Sequence, residues 1–368
     1  MYKNVFTAAA SLMIATGSAL YGQQADQCPS PAPNKFEQGL GADSGQMNPI
    51  YNAPARIDLL GCNPWEAYAT VSFIYWHASE SGLNFGTAFT DQTIAATPHI
   101  GTTPNQLDFK YKPGFKLGTG TQINHDDWML TLEWTRLHLK DTESKSTTTG
   151  FFTNTLAPVP YGTLIETSAA WRLNLDLVDW ELSRPFYRGK SLTVEPSFGL
   201  RVALIRQKYD DHSVSAGFVG GNVPIFAKVD SKSWAIGPRC GLDGNWLFAH
   251  GFRFFGNMAG SILYSHYKTK AFLTFSGLAL DVNPKEIFEF LRAVTEIGAG
   301  IGWGTYIDSM KWNIDFSAGY DFLVFFNQNT LRYLTNATND AGSLATLGGS
   351  SPSNLYLHGL TVKAKVDF

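Results

Sequence analysis

Acids adjoin an imidazole at two places in the chain, His125-Asp126-Asp127 and Asp210-Asp211-His212. Such groups act as general bases when a further residue orients the imidazole and a water or nucleophile sits within hydrogen-bond reach. One adjacent triplet cannot supply opposed pairs, and Asp/His clusters in loops are ordinarily solvated turn formers. His125-Asp126-Asp127 fits a tight turn, and Asp210-Asp211-His212 fits a long exposed loop. Beyond the first 22 residues there is no Gly-x-Ser-x-Gly elbow, phosphate loop or dinucleotide fingerprint. No Cys/His spacing suits zinc. The expectation is a protein that is not an enzyme and uses no cofactor or metal.

A second kind of chemistry lies in charges spaced by two. Lys110, Lys112 and Lys116 share one parity, opposite Leu107, Phe109, Tyr111, Phe115 and Leu117. In an extended strand successive side chains point to opposite faces, so such a row lines one side of a sheet. Glu133, Glu166, Arg172, Asp176, Glu195, Arg201, Arg239, Asp315 and Asp321 fall on polar parities in other segments, as do Arg253, Glu296, Lys363, Lys365 and Asp367. If that parity faces a water-filled lumen, the charges stay hydrated, pair across strands and hold the wall open. Rings of charge set ion preference in pores, so the lysine row would favour anions unless acids such as Glu133 neutralise it.

The elements that carry these residues read as strands. Alternating segments occur near 66–78, 106–120, 128–140, 161–179, 190–208, 228–243, 252–267, 290–304, 311–327 and 354–368. The segment 165–177 sets Ile165, Ala169, Trp171, Leu173, Leu175 and Leu177 against Glu166, Ser168, Arg172, Asn174 and Asp176. Connections alternate between long (79–105, 141–160, 209–227, 268–289, 328–353) and short (121–127, 180–189, 244–251, 305–310). Bacterial barrels have short periplasmic turns and longer outer loops. The prediction is all-β: a transmembrane antiparallel β-barrel of about ten strands, with twelve if 268–289 or 83–89 adds more. Asn283-Pro284 before Lys285–Arg292 predicts a short helix, from a cap residue followed by Pro at the first helical position.

Composition agrees. Charged residues make up 16% and aromatics 14% of 368 residues, with 35 Gly. No apolar run beyond the first residues approaches the length of a membrane-spanning helix. Residues 1–22 read as a signal peptide, 23–64 as an N-terminal periplasmic segment and 65–368 as the barrel. Of three cysteines, Cys28 and Cys62 precede the first strand in an exported chain, where an oxidising compartment permits a disulfide. Cys240 lies on an apolar parity and is expected to face lipid. Trp65, Trp180 and Trp246 flank the periplasmic ends and are expected in an aromatic girdle. The final segment keeps its alternation to Phe368.

The run Phe73-Ile74-Tyr75-Trp76 with Glu80-Ser81-Gly82-Leu83 resembles the first-strand motif of the Legionella-type major outer membrane protein family, also found in chlamydia-like bacteria. Glu195-Pro196-Ser197-Phe198-Gly199-Leu200-Arg201 is similar to a second motif of that family. So is Trp234-Ala235-Ile236-Gly237-Pro238-Arg239 with Gly241-Leu242-Asp243 and Trp246, followed by Gly260-Ser261-Ile262-Leu263-Tyr264. The resemblance spans roughly 62–368 and implies a porin-like protein of the bacterial outer membrane. Resemblance to outer-membrane barrels also implies that Phe368 is the assembly signal read by the outer-membrane assembly machinery. The expected function is a passive channel for small hydrophilic solutes that contributes to envelope structure. The alternative is a surface-exposed adhesin or a structural barrel with a closed lumen. Expected partners are outer-membrane lipid, the assembly machinery and small hydrophilic solutes; a homo-oligomer and host-surface contact through the loops stay open. A net charge of −3 gives no case for nucleic acid.

Overall fold

The computed structural model of the chain describes residues 67–89, 103–123, 128–147, 151–153, 163–188, 191–218, 221–249, 251–275, 278–282, 285–307, 312–329, 334–339, 342–347 and 353–368. The expected signal peptide and N-terminal segment, with Cys28, Cys62 and Trp65, lie outside the described residues.

Ten strands carry the architecture: β1 (Ala67–Glu80), β2 (Tyr111–Ile123), β3 (Trp128–Ser146), β4 (Thr163–Ser183), β5 (Leu192–Phe218), β6 (Gly221–Ala249), β7 (Phe252–Phe275), β8 (Lys285–Ile307), β9 (Trp312–Asn329) and β10 (Ser353–Asp367). Each pairs antiparallel with its sequence neighbour, and β10 returns to β1 with Asp367 opposite Tyr68 and Leu355 opposite Glu80. The ring is therefore closed. Phe368 joins it: its N–H donates to the Ala67 carbonyl at 2.9 Å, and the Ala67 N–H donates back at 3.1 Å. An open edge in hydrocarbon would leave unpaired backbone groups, so closure is what membrane insertion requires.

Ten strands match the sequence reading, and twelve do not. Leu278–Val282 pairs only with the end of β7, and Gly86–Phe89 pairs with the short strands Thr103–Asn105 and Phe151–Thr153 above the ring. Two local expectations are corrected. Lys285–Arg292 is strand, because β8 pairs with β7 from Lys285 opposite Lys270 through Trp303 opposite Phe252. Phe288 and Phe290 then share one face and stack on Tyr267, with ring centroids 5.1 and 4.9 Å away. Likewise 209–227 is not a long loop. β5 and β6 continue their ladder until Phe218 stands opposite Gly221, so Asp210, Asp211 and His212 are strand residues.

β5, β6 and β7 are 27, 29 and 24 residues long, far beyond the roughly 9–11 residues needed to span. Their outer faces account for the excess. Near the short turns, exposed apolar side chains form a continuous belt: Val71 and Phe73 on β1, Trp180 on β4, Phe198 and Leu200 on β5, Ile236 and Leu242 on β6, Met258 and Ile262 on β7. Cys240 lies exposed in this belt, as its parity predicts. Trp246 is exposed beside the β6–β7 turn, stacked on Phe254 at 5.9 Å. Higher on β3 to β7 the outer face becomes predominantly polar, with Lys140, Arg172, Arg206, Lys232 and Lys268 exposed and Phe226 and Phe272 as apolar exceptions.

Close approach between β6 and β7 requires one glycine. A Cβ on Gly237 would stand 1.9 Å from the Ile262 carbonyl oxygen, next to Pro238, which has no N–H to give the ladder. Gly237→Ala is expected to lower the stability of the refolded barrel by about 1–3 kcal/mol. The measurement is the urea midpoint, and an unchanged midpoint would contradict the packing described.

Candidate functional site

The interior brings together ionised groups from non-adjacent strands, and it has two layers among the described residues. In the lower lumen, toward the short turns, ionised groups from non-adjacent strands meet. Arg201 on β5 is 1% exposed. Its Nε and Nη2 donate to the two carboxylate oxygens of Asp179 at 2.6 and 2.5 Å, in the fork geometry that favours Arg. Its Nη1 also contacts Glu296 of β8, three strands away. Arg239 of β6 donates from Nε to Glu296 at 3.2 Å and from Nη1 to Glu181. Asp179 and Glu181 lie on β4, so this chain of pairs bridges the wall from β4 to β8.

Other pairs line the same level. Lys116 sits 3.9 Å from Glu133 and 3.3 Å from Asp321, with its ammonium 4.9 Å from the Trp76 ring centre. Thr361 donates to the same Asp321 carboxylate at 2.7 Å. Arg253 holds Asp315, with one bond at 2.8 Å, and donates to Asn245 at 3.0 Å. Ser183 donates to Glu195. Removing charges from water is costly unless they are paired and hydrogen-bonded, and these groups meet that condition.

The upper lumen mixes an apolar cluster with buried polar groups: Gln207 donates to Glu80, and Arg292 donates to the Asn327 carbonyl at 3.1 Å. Leu137, Trp171, Leu173, Leu175, Leu177, Ile205 and Val229 point inward and are buried. Among these apolar side chains fold both ends of the first outer connection, with Leu83 and Phe85 after β1 and Leu107 before β2, all buried. The Leu83 carbonyl accepts from Tyr209 at 3.4 Å and the Phe85 carbonyl from Thr167 at 3.3 Å. Phe109 packs edge-on to Trp171 at 5.5 Å. This connection leaves β1 and reaches the inner faces of β4 and β5.

Against this geometry, most of the expected lumen residues stand where the parity puts them. Lys112, Lys116, Glu133, Glu195, Arg201, Arg239, Asp315 and Asp321 face inward. Lys110 instead lies exposed just before β2, 3.7 Å from Asp108. Glu166, Arg172 and Asp176 are corrected: they face outward on β4, while Trp171, Leu173 and Leu175 fill the interior. The physical reason is that this half of β4 rises above the apolar belt, so water lies outside and packed side chains lie inside. The lysine row is not a free ring of positive charge, since Lys112 also has an acid partner, Asp141, at 3.3 Å.

The sequence reading missed Asp179 and Glu181. A signal was present, because the apolar parity of β4 changes from odd at Leu177 to even at Val178, Trp180 and Leu182 with no bulge there. That exchange marks where the strand enters the membrane. Arg201→Ala would leave the buried Asp179 carboxylate without its counter-charge and remove one partner of Glu296, at a cost of about 3–5 kcal/mol. The double variant with Asp179→Ala should lose less than the sum of the two single changes in a urea-unfolding cycle. Additive losses would contradict the pairing.

A family model described as Legionella pneumophila major outer membrane protein precursor matches residues 62–368. No curated protein matches the chain. Among solved structures, similarity is found to the outer membrane protease OmpT from Escherichia coli, at 10% identity, covering 83% of this chain and 97% of that one with a TM-score of 0.41. A Pseudomonas aeruginosa FadL homologue is similar at 7% identity, with 84% and 91% covered and a TM-score of 0.27. The Ralstonia pickettii toluene transporter TbuX is similar at 10% identity, with 83% and 90% covered and a TM-score of 0.26. With the closed barrel, its apolar belt and a family match over most of its length, the chain belongs to the Legionella major outer membrane protein family of the bacterial outer membrane.

Proposed function

We propose that the protein is a narrow passive channel for small hydrophilic solutes that also contributes to envelope structure. The observation that carries this reading is wetted charge in the lower lumen. The side chains of Lys116, Glu181, Arg239, Glu296 and Asp321 keep 13–22% exposure although they sit inside the ring. A barrel built for stability alone is better served by apolar packing in place of buried pairs, so retained, water-reachable ion pairs favour a path for polar solutes. The closed structural barrel is the second reading, and the packed layer around Trp171 and Leu173 favours it.

The proposal contains no catalytic step. Asp210 on the outer face is held by Arg172 at 3.0 Å and Lys228 at 3.4 Å, and the His212 ring packs against Phe226 at 4.6 Å. Asp211 is buried on the inner face. Alternation thus divides the triplet between two sides of the wall.

Purified, refolded protein in a planar bilayer is expected to give small, discrete conductance steps with weak ion selectivity. Lys112→Ala with Lys116→Ala strips the counter-charge from Asp141, Glu133 and Asp321, so the reversal potential should move toward cation preference. Absence of steps above background would favour the closed structural barrel. Strong anion selectivity of the unmodified protein would contradict the neutralised lysine row.

A further inference from the structure

Just above the lipid-facing belt, the outer wall of β3 to β7 carries two hydrogen-bonded rows rich in cations. In the first, Arg206, Lys232 and Lys268 stand directly opposite one another on β5, β6 and β7. In the second, Lys140, Arg172 and Lys208 do so on β3, β4 and β5. Both rows face outward, and five of these six residues are exposed, Lys208 being half-buried. Like charges directly opposite on neighbouring strands destabilise a sheet. Acids stand within the strip as well: Asp210 lies 3.0 Å from Arg172, and Asp230 lies 3.8 Å from Lys232.

The strip is one-sided. At the upper edge of the belt, β1, β2 and β9 present exposed Tyr75, Tyr111 and Tyr320, and β10 presents His358. On β5 Leu204 is followed outward by Arg206, and on β6 Trp234 is followed outward by Lys232, with exposed Phe226 and Phe272 standing farther out. That is headgroup height, where a lipid can place its acyl chains on the belt and its anionic group on the strip. Juxtamembrane Lys and Arg attract anionic lipid surfaces, and guanidinium and ammonium groups suit phosphate oxygens.

We propose that this strip is a binding site for the phosphate groups of a phosphorylated glycolipid of the outer leaflet, held against β3 to β7. The lipid's acyl chains cover Val178, Leu200, Leu204 and Ile236, and its phosphates bridge the opposed cations.

The test uses the refolded full-length barrel, with vesicles containing bisphosphorylated lipid A, vesicles containing the dephosphorylated lipid, and inorganic phosphate alone. The phosphorylated lipid is expected to bind and to raise the thermal midpoint, and the other two are not. Arg206→Gln with Lys232→Gln and Lys268→Gln should weaken binding roughly a hundredfold, from three lost surface cations. Since these side chains point away from the interior and neutralising them removes like-charge repulsion, the triple variant should keep or raise the urea midpoint of the lipid-free barrel. A second variant, Lys140→Gln with Lys208→Gln, should weaken binding to a smaller extent. Equal binding of the dephosphorylated lipid, an equal effect of inorganic phosphate, or unchanged affinity in both variants would overturn the proposal.

Discussion

Everything in this barrel follows from the need to satisfy backbone hydrogen bonds where no water reaches. A strand in hydrocarbon has no solvent to complete its N–H and C=O groups, so each of the ten strands must have a partner on both edges. The β1–β10 ladder meets that need for the two strands farthest apart in sequence, and Phe368 extends it to the last residue by bonding with Ala67. Once the ring is closed its circumference is fixed, and with it the narrow interior that ten strands enclose.

That narrowness dictates how the interior is filled. In the lower half, side chains from strands on different sides of the ring come within reach, and arginines and acids meet as the Asp179–Arg201–Glu296–Arg239–Glu181 chain. In the upper half, an apolar cluster that includes Leu83 and Phe85 from a connection turned inward packs beside buried polar groups such as Glu80 and Gln207. The outer wall carries the opposite order, apolar below and polar above. The same ladder therefore serves two solvents, and it exchanges inside for outside without a bulge in β4 between Leu177 and Val178.

The sequence made the ring itself legible because alternation and connection lengths report on strands directly. β10 was readable throughout, since Tyr356 to Phe368 keep one parity apolar apart from His358. The orientation of the upper half of β4 was not readable from polarity alone. Trp171, Leu173 and Leu175 look like lipid-facing residues, but above the membrane the interior is the apolar side. Asp179 was hidden by the same assumption. The helix expected at Lys285–Arg292 rested on a local Asn-Pro signal, and pairing with β7 over the whole segment outweighs it. The long loop expected around Asp210 failed because the hydrogen-bonded ladder of β5 and β6 continues beyond the membrane, where charged outward residues no longer signal the end of a strand.

The exchange of polarity along a continuous strand is the central claim, and β5 tests it most directly. In protein with Cys28, Cys62 and Cys240 replaced by Ser, spin labels placed singly at the outward positions 198, 200, 202, 204, 206, 208 and 210 can be probed by collision with oxygen and with a water-soluble nickel complex. The account predicts oxygen-accessible, nickel-shielded labels from 198 through 204 and an abrupt change to nickel access from 206 onward. Lipid-like accessibility continuing through 210, or nickel access already at 200, would contradict it.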